Sequence, residues 1–129
     1  MKYLLDSCIL IDLLKGKTVI QDRIMEAGPD NCYVSDMILA ELFVGPSKSG
    51  NVFSMKQAEW VEREFKCVMF GRSYRTYARI RADLERKGKK LDNMDLLIAS
   101  SAIDNEMTLV TGNQKHFSRI PGLKLLVWD

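Results

Sequence analysis

Lys2-Tyr3-Leu4-Leu5-Asp6-Ser7-Cys8-Ile9-Leu10-Ile11-Asp12-Leu13-Leu14 decides how the rest of the chain is read. The run Lys2–Leu5 has the length and apolarity of a short buried strand, and Ser7–Lys15 reads as a helix stopped by Gly16. The same alternation continues along the chain. Thr18–Ala27 is a helix closed by Gly28-Pro29, and Cys32–Val34 a strand. A helix capped by Ser35 or Asp36 carries Glu41 and is expected to stop at Gly45-Pro46, with Ser47–Asn51 as a flexible loop. Helix Ser54–Phe65, strand Cys67–Phe70 and helix Ser73–Lys87 follow. Asp92 caps a helix over Asn93–Asn105. Strand Thr108–Val110, a short helix at Gln114–Phe117 and strand Leu123–Val127 complete the chain. Strands alternating with helices predict an α/β fold, with a mostly parallel sheet of about five strands covered on both faces.

Three acids interrupt stretches that should be buried. Asp6 follows Tyr3-Leu4-Leu5, Glu41 splits Met37–Ala40 from Leu42–Val44, and Asp95 precedes Leu96–Ala99. A buried carboxylate costs several kcal/mol unless it is paired or binds a metal. No Lys or Arg lies three or four residues from Glu41 or Asp95, so no local helical ion pair compensates either. Sheets of this kind place ligands outside the carboxyl ends of their strands. Asp6 ends the first predicted strand, Asn113 lies just past Leu109-Val110, and Glu41 and Asp95 fall in or near the first turns of their helices. The pattern predicts one shared cation and metal-dependent chemistry.

Composition narrows the class. The 129 residues suit a single domain, here taken as 1–129, and 47% hydrophobic with 28% charged residues is ordinary for a soluble protein. No apolar run approaches the ~20 residues of a membrane span. The odd cysteines Cys8, Cys32 and Cys67 lie in apolar segments and read as reduced thiols of a cytoplasmic protein. A single histidine, His116, is incompatible with a His-rich zinc site and reads as an exposed residue of a short helix. The net charge of +2 conceals a basic stretch, Arg72 to Lys90, with eight bases against two acids. A basic lobe beside an acidic site suits a nucleic-acid substrate. On the helix from Ser73, Tyr77, Ile80 and Leu84 form the buried stripe, while Arg72, Arg75, Arg79 and Arg86 share the opposite face. Arg81 projects toward the buried side, which calls for an acidic partner or a phosphate, and is therefore expected to face the site.

In order along the chain, Leu4-Leu5-Asp6-Ser7-Cys8-Ile9, Ser35 through Ala40-Glu41-Leu42 to Gly45, Asn93-Met94-Asp95-Leu96-Leu97-Ile98-Ala99, and Leu109-Val110-Thr111-Gly112-Asn113 through Phe117 to Trp128 resemble the PIN-domain family. Within it, they are similar to the VapC-type toxin ribonucleases of bacterial toxin–antitoxin pairs. The resemblance spans the whole chain. It implies a PIN-like three-layer α/β/α fold and metal binding by Asp6, Glu41 and Asp95. Asn113 stands where relatives carry Asp or Asn. It further implies endonucleolytic cleavage of a structured RNA such as tRNA, a homodimer, and a small VapB-type antitoxin through which alone DNA would be contacted. Hard Mg²⁺ or Mn²⁺ suits such an all-oxygen site, and a water nucleophile would leave 5′-phosphate and 3′-hydroxyl ends. Cys8 stands where Asn is usual, and Met94 is a second departure; neither removes an acid.

Each residue also has a plainer reading. Asp92 and Asp95 could serve as helix caps, Asn113 as a turn former, Cys8 as packing and Asp12 as a partner of Lys15. Ser7 and Thr111, at strand ends, are placed to hydrogen-bond a metal-bound water or a phosphate. Two rival functions remain at this level. One is a PIN-like module that binds RNA or protein without cutting. The other is a phosphoacceptor signalling domain, which needs an acidic pair after the first strand and an Asp ending the third; this third strand ends Phe70-Gly71.

Overall fold

Leu4 and Leu5 are neighbours on one strand, so their side chains leave opposite faces of the sheet, yet both are fully buried. Leu109 and Val110 repeat this one strand over. The sheet is thus covered on both faces, the α/β/α layering expected from the alternation. The computed structural model describes residues 1–128. Among them, β1 (Tyr3–Leu5), β2 (Cys32–Ser35), β3 (Lys66–Val68), β4 (Thr108–Thr111) and β5 (Lys124–Val127) form one sheet in the order β3-β2-β1-β4-β5. Every neighbouring pair is parallel. Helices α1 (Ser7–Leu14) and α2 (Thr18–Ala27) connect β1 to β2; α3 (Asp36–Ser49) and α4 (Val52–Glu64) connect β2 to β3. Helices α5 (Tyr74–Arg86) and α6 (Asn93–Asp104) return the chain to β4, and a single 3-10 turn at Gln114–His116 leads toward β5. The central strands are apolar and buried, whereas edge strand β5 alternates between exposed and half-buried residues.

The order has a consequence for function. The chain lays β2 and β3 on one side of β1, then crosses back to lay β4 and β5 on the other. The switch point lies between β1 and β4, and a crevice opens there at the carboxyl ends of the strands. The order also removes the phosphoacceptor rival: there β3 sits beside β1, whereas here it is the sheet edge, with β2 between them.

Three local expectations change. Helix α3 does not stop at Gly45-Pro46 but runs through Pro46 to Ser49. Proline removes one N–H bond and crowds the preceding turn. The last turn persists because α3 packs along α4 and because Gly50, at φ 66°, returns its N–H to the Pro46 carbonyl at 3.0 Å. Residues 47–49, expected as loop, are therefore helical. Asp12 pairs with Lys17 at 2.9 Å, not with Lys15, because the chain turns back at Gly16. Cys67 is exposed on edge strand β3, outside the core. Of the two caps proposed for α3, Ser35 accepts from the Ile38 N–H, while Asp36 accepts the Phe70 N–H just past β3.

Candidate active site

Asp6 is the residue between β1 and α1, and the fold fixes it from three sides. Its backbone N–H donates to the Val110 carbonyl of β4, so it sits at the switch point. One carboxylate oxygen caps α1 by accepting from the Ser7 N–H at 2.9 Å; the other accepts from the Thr111 hydroxyl at 2.9 Å. The side chain is 7% exposed. Glu41, in the second turn of α3 rather than the first, reaches the same crevice. Its Oε1 accepts from the Ser7 hydroxyl at 3.2 Å. Asp95 is the third residue of α6, whose N-terminus Asp92 caps by accepting from the N–H groups of Met94 and Asp95.

Asp6, Ser7, Cys8, Glu41, Asp92, Asp95, Asn113 and His116 line one cavity of about 330 Å³. Four of those eight are carboxylates, and none is Lys or Arg. The charge is left largely uncompensated, and the acids respond. Burial, then the nearby Asp6, raises the Glu41 carboxyl above its usual range; the Ser7 hydrogen bond works the other way, and Asp95 and Asp92 add to the rise. Burial and the charge of Asp92 push Asp95 up to about 6, against a smaller downward pull from His116. Among the described residues, no three Asp, Glu, His or Cys side chains are drawn together as a ready metal cage. Asp6 and Glu41 are turned instead to donors on Ser7 and Thr111, and Asp95 toward His116 at 3.4 Å. The donor set fits a hard cation that keeps part of its water shell, because such an ion reaches a loose ring of carboxylates partly through water.

A PIN-domain family model matches residues 3–123. The chain belongs to the PIN-domain family. Within it the likeness is to VapC-type proteins. Ribonuclease VapC2 of Rickettsia felis is 40% identical over 105 residues, covering 74% of this PIN domain's chain and 73% of its own. The tRNA(fMet)-specific endonuclease VapC of Salmonella typhimurium is 30% identical, covering 99% and 98%. The crystal structure of VapBC2 from Rickettsia felis, bound to a DNA fragment from their promoter, contains a chain that superposes with a TM-score of 0.92. That chain is 34% identical, with all of both chains covered.

The residues singled out from the sequence divide in this PIN domain. Asp6, Glu41, Asp95, Asn113 and Ser7 line the cavity. Asp92 is both cap and lining residue. Thr111 is fully buried, with its hydroxyl given to Asp6, so it holds an acid in place and is closed to substrate. Arg81 is corrected. Its Nε lies 2.7 Å from Glu85 one turn on, and its Nη1 donates to the Tyr77 hydroxyl at 2.8 Å. The guanidinium has its acidic partner on its own helix and is absent from the cavity, so the argument that aimed it at the site no longer holds.

Arg72, Arg75 and Arg79 are exposed. They stand at the far end of α6 from Asp95: Thr76 donates to Asp104 at 2.7 Å, and Arg79 shares a cavity with Ile103, Pro121 and Gly122. Asp95 and Asp104 are nine residues apart on one helix, roughly 14 Å along its axis. Two lining residues went unrecognised in the sequence. Cys8 lies 3.7 Å from Asp6 and 3.5 Å from the Thr111 hydroxyl, and its sulfur accepts the Gly112 N–H. His116 is exposed as expected, but its Nδ1 lies 3.4 Å from Asp95. Local spacing places Cys8 beside Asp6 but does not signal its contacts with Thr111 and Gly112, nor that of His116 with Asp95, since these join segments far apart in the chain.

Proposed function

We propose that this chain is the toxin of a VapBC-type pair and folds as a single PIN-like nuclease domain over 1–129. In this reading it is an Mg²⁺- or Mn²⁺-dependent endoribonuclease that cuts a structured RNA such as tRNA. The observation that carries it is the cavity at the β1–β4 switch point, with four carboxylates and no Lys or Arg among its described lining residues. Such a cavity repels a bare phosphate and accepts one only with a cation. Asp6, Glu41 and Asp95 would hold the ion, with Asn113 at the rim. When bound, the ion supplies water activation and neutralises charge developing on the phosphate. The chain's own residues do the placing: Thr111 and the Ser7 N–H fix Asp6, and the Ser7 hydroxyl fixes Glu41. The names of the relatives reported above, a ribonuclease and an endonuclease specific for tRNA(fMet), support RNA as the substrate.

A second feature supports an antitoxin partner. An apolar groove of about 350 Å³, lined by Ile11, Leu14, Leu42, Pro46 and Ala58, also includes Glu41, so groove and acidic cavity adjoin. A partner segment with apolar anchors would lie in the groove and place an Arg among the acids, where its planar fork satisfies two carboxylate oxygens. The neighbour structures that contain VapB with VapC support this pairing. The proposed complex holds a homodimer of this chain and touches DNA only through the antitoxin. The test is incubation of purified protein with total RNA. Discrete cleavage is expected with Mg²⁺ or Mn²⁺, none with chelator, and loss of cleavage when the antitoxin is added. Binding without cutting in every metal condition favours the non-catalytic module instead.

The exposed arginines lie too far from the acids to touch the scissile phosphate. The proposal assigns them to backbone several nucleotides away, which suits a long or folded substrate. Changing Arg72, Arg75 and Arg79 together to Glu is expected to weaken RNA binding and flatten its salt dependence by about three contacts' worth of slope. An unchanged slope in filter binding across a salt series would place the RNA elsewhere.

A further inference from the structure

Two of the three acids proposed to hold the metal are joined by one continuous line of contacts through a short segment after β4. Thr111 donates its hydroxyl to Asp6 at 2.9 Å, and the same oxygen accepts the Asn113 N–H at 3.1 Å. The Asn113 side-chain amide nitrogen lies 3.1 Å from Nε2 of His116, and Nδ1 of His116 lies 3.4 Å from the Asp95 carboxylate. An amide nitrogen only donates, so Nε2 must accept, and the ring proton then sits on Nδ1, facing Asp95. Phe117, next in sequence, is buried in the core and anchors the segment from below. Residues 111–116 thus bridge the crevice from the β1 side to the α6 side.

We propose that Thr111, Asn113 and His116 form a strap that sets the spacing and orientation of Asp6 and Asp95. In it, Asn113 serves to fix the tautomer of His116 rather than to bind metal. The inference rests on the nuclease reading above. His116 is a positioning residue: its ring is 56% exposed at the cavity mouth and acts through Asp95. Without the strap Asp6 would keep only the Ser7 N–H on its carboxylate, and Asp95 would be free to turn away under their mutual repulsion. Partners that orient a metal-binding side chain typically matter ~10–100-fold in metal affinity or activity.

Because the chain has one histidine, its ring ¹⁵N signals need no assignment. Nitrogen NMR at pH 8 is expected to show the Nδ1–H tautomer in the wild type and a shift toward Nε2–H in Asn113→Ala. The Nε2–H tautomer in the wild type overturns the strap. In parallel, Mn²⁺ titration followed by paramagnetic resonance should show about 10-fold weaker binding in His116→Ala. His116→Gln should recover most of the affinity, its amide serving both neighbours. RNA turnover should fall in kcat with little change in KM. Thr111→Val should weaken Mn²⁺ binding in the same direction, with Thr111→Ser restoring it should the valine variant fold poorly. Equal Mn²⁺ affinity in wild type and His116→Ala also overturns the strap. If the wild type takes up no Mn²⁺ and cuts no RNA, the nuclease reading fails, and the tautomer alone judges the strap.

Discussion

Asp6→Asn, Glu41→Gln and Asp95→Asn are each expected to abolish RNA cleavage, by roughly 10³-fold or more, while leaving the fold intact by circular dichroism. Each replacement is nearly isosteric and removes one negative charge from a cavity proposed to hold a cation. The metal's share of phosphate-ester catalysis is worth several kcal/mol, and each 1.4 kcal/mol is tenfold in rate, so a misplaced or lost ion costs about three decades. The three changes are not expected to be equal in stability. Asp6 also caps α1 and accepts from Thr111, and an amide retains one acceptor oxygen for these two donors. Asp6→Asn should therefore cost about 1 kcal/mol of folding stability. Asp95→Asn should not, because the α6 cap is supplied by Asp92. Cleavage that survives in all three variants would refute the assignment. Cleavage lost only where the melting curve collapses would make these acids structural.

Metal and pH should move the stability of the wild type in opposite senses, and Asp95→Asn should remove much of the effect. Asp95 titrates near 6 in the folded chain against 3.8 for the free side chain, so the folded state holds its proton more tightly. Between about pH 4 and 6 the folded state binds more protons than the unfolded one, and stability falls as pH rises through that window. The penalty is absent below pH 4 and complete above pH 6. Discounted for solvent screening, it amounts to ~1–2 kcal/mol, or a rise of roughly 3–8 °C in Tm when Asp95→Asn removes it at neutral pH. Glu41 shifts in the same direction and adds to the slope. A divalent ion neutralises the same charges, so Mg²⁺ or Mn²⁺ at a hundred times its Kd should stabilise the protein by about 2.7 kcal/mol at pH 7. It should do progressively less as Asp95 and Glu41 protonate. Differential scanning calorimetry at pH 5 and 7.5, with and without Mn²⁺, reads all of this. Melting curves indifferent to metal, pH and Asp95→Asn would mean that the acids do not share a cation.

The antitoxin model follows from the same electrostatics. A guanidinium entering the cavity relieves the repulsion that a metal would relieve, so the two compete for one set of oxygens. The apolar groove that shares Glu41 gives a partner a way to add affinity without more charge. In the proposed complex, inhibition and catalysis would draw on a single arrangement of carboxylates.

The alternation of strands and helices was legible because hydrophobic runs of different length and period need only local reading. The three acids were legible because a carboxylate inside an apolar run has no inexpensive local explanation. Most of the failures were contacts between distant segments; Arg81 was missed although its partners lie one turn away on its own helix. Pro46 signals a helix end, yet packing of α3 on α4 carries the helix another turn. Arg81 looked unpaired because helical projection shows which side a residue faces, but not that Glu85 and Tyr77 reach its guanidinium. The basic helix was read from charge and helical face as a backbone-holding lobe beside the site, and the structure sets its arginine face at the opposite end of α6 from Asp95. His116 joins the site, and Cys8 meets Gly112, only because the segment after β4 folds over the carboxyl end of β1. Sequence alone determined the α/β class, the strand-end position of Asp6 and which acids lack a local partner, since these depend on residue type and spacing. Tertiary structure decided which side chains share the cavity and how far the arginines stand from it, since those distances depend on a strand order, β3-β2-β1-β4-β5, that no local pattern encodes.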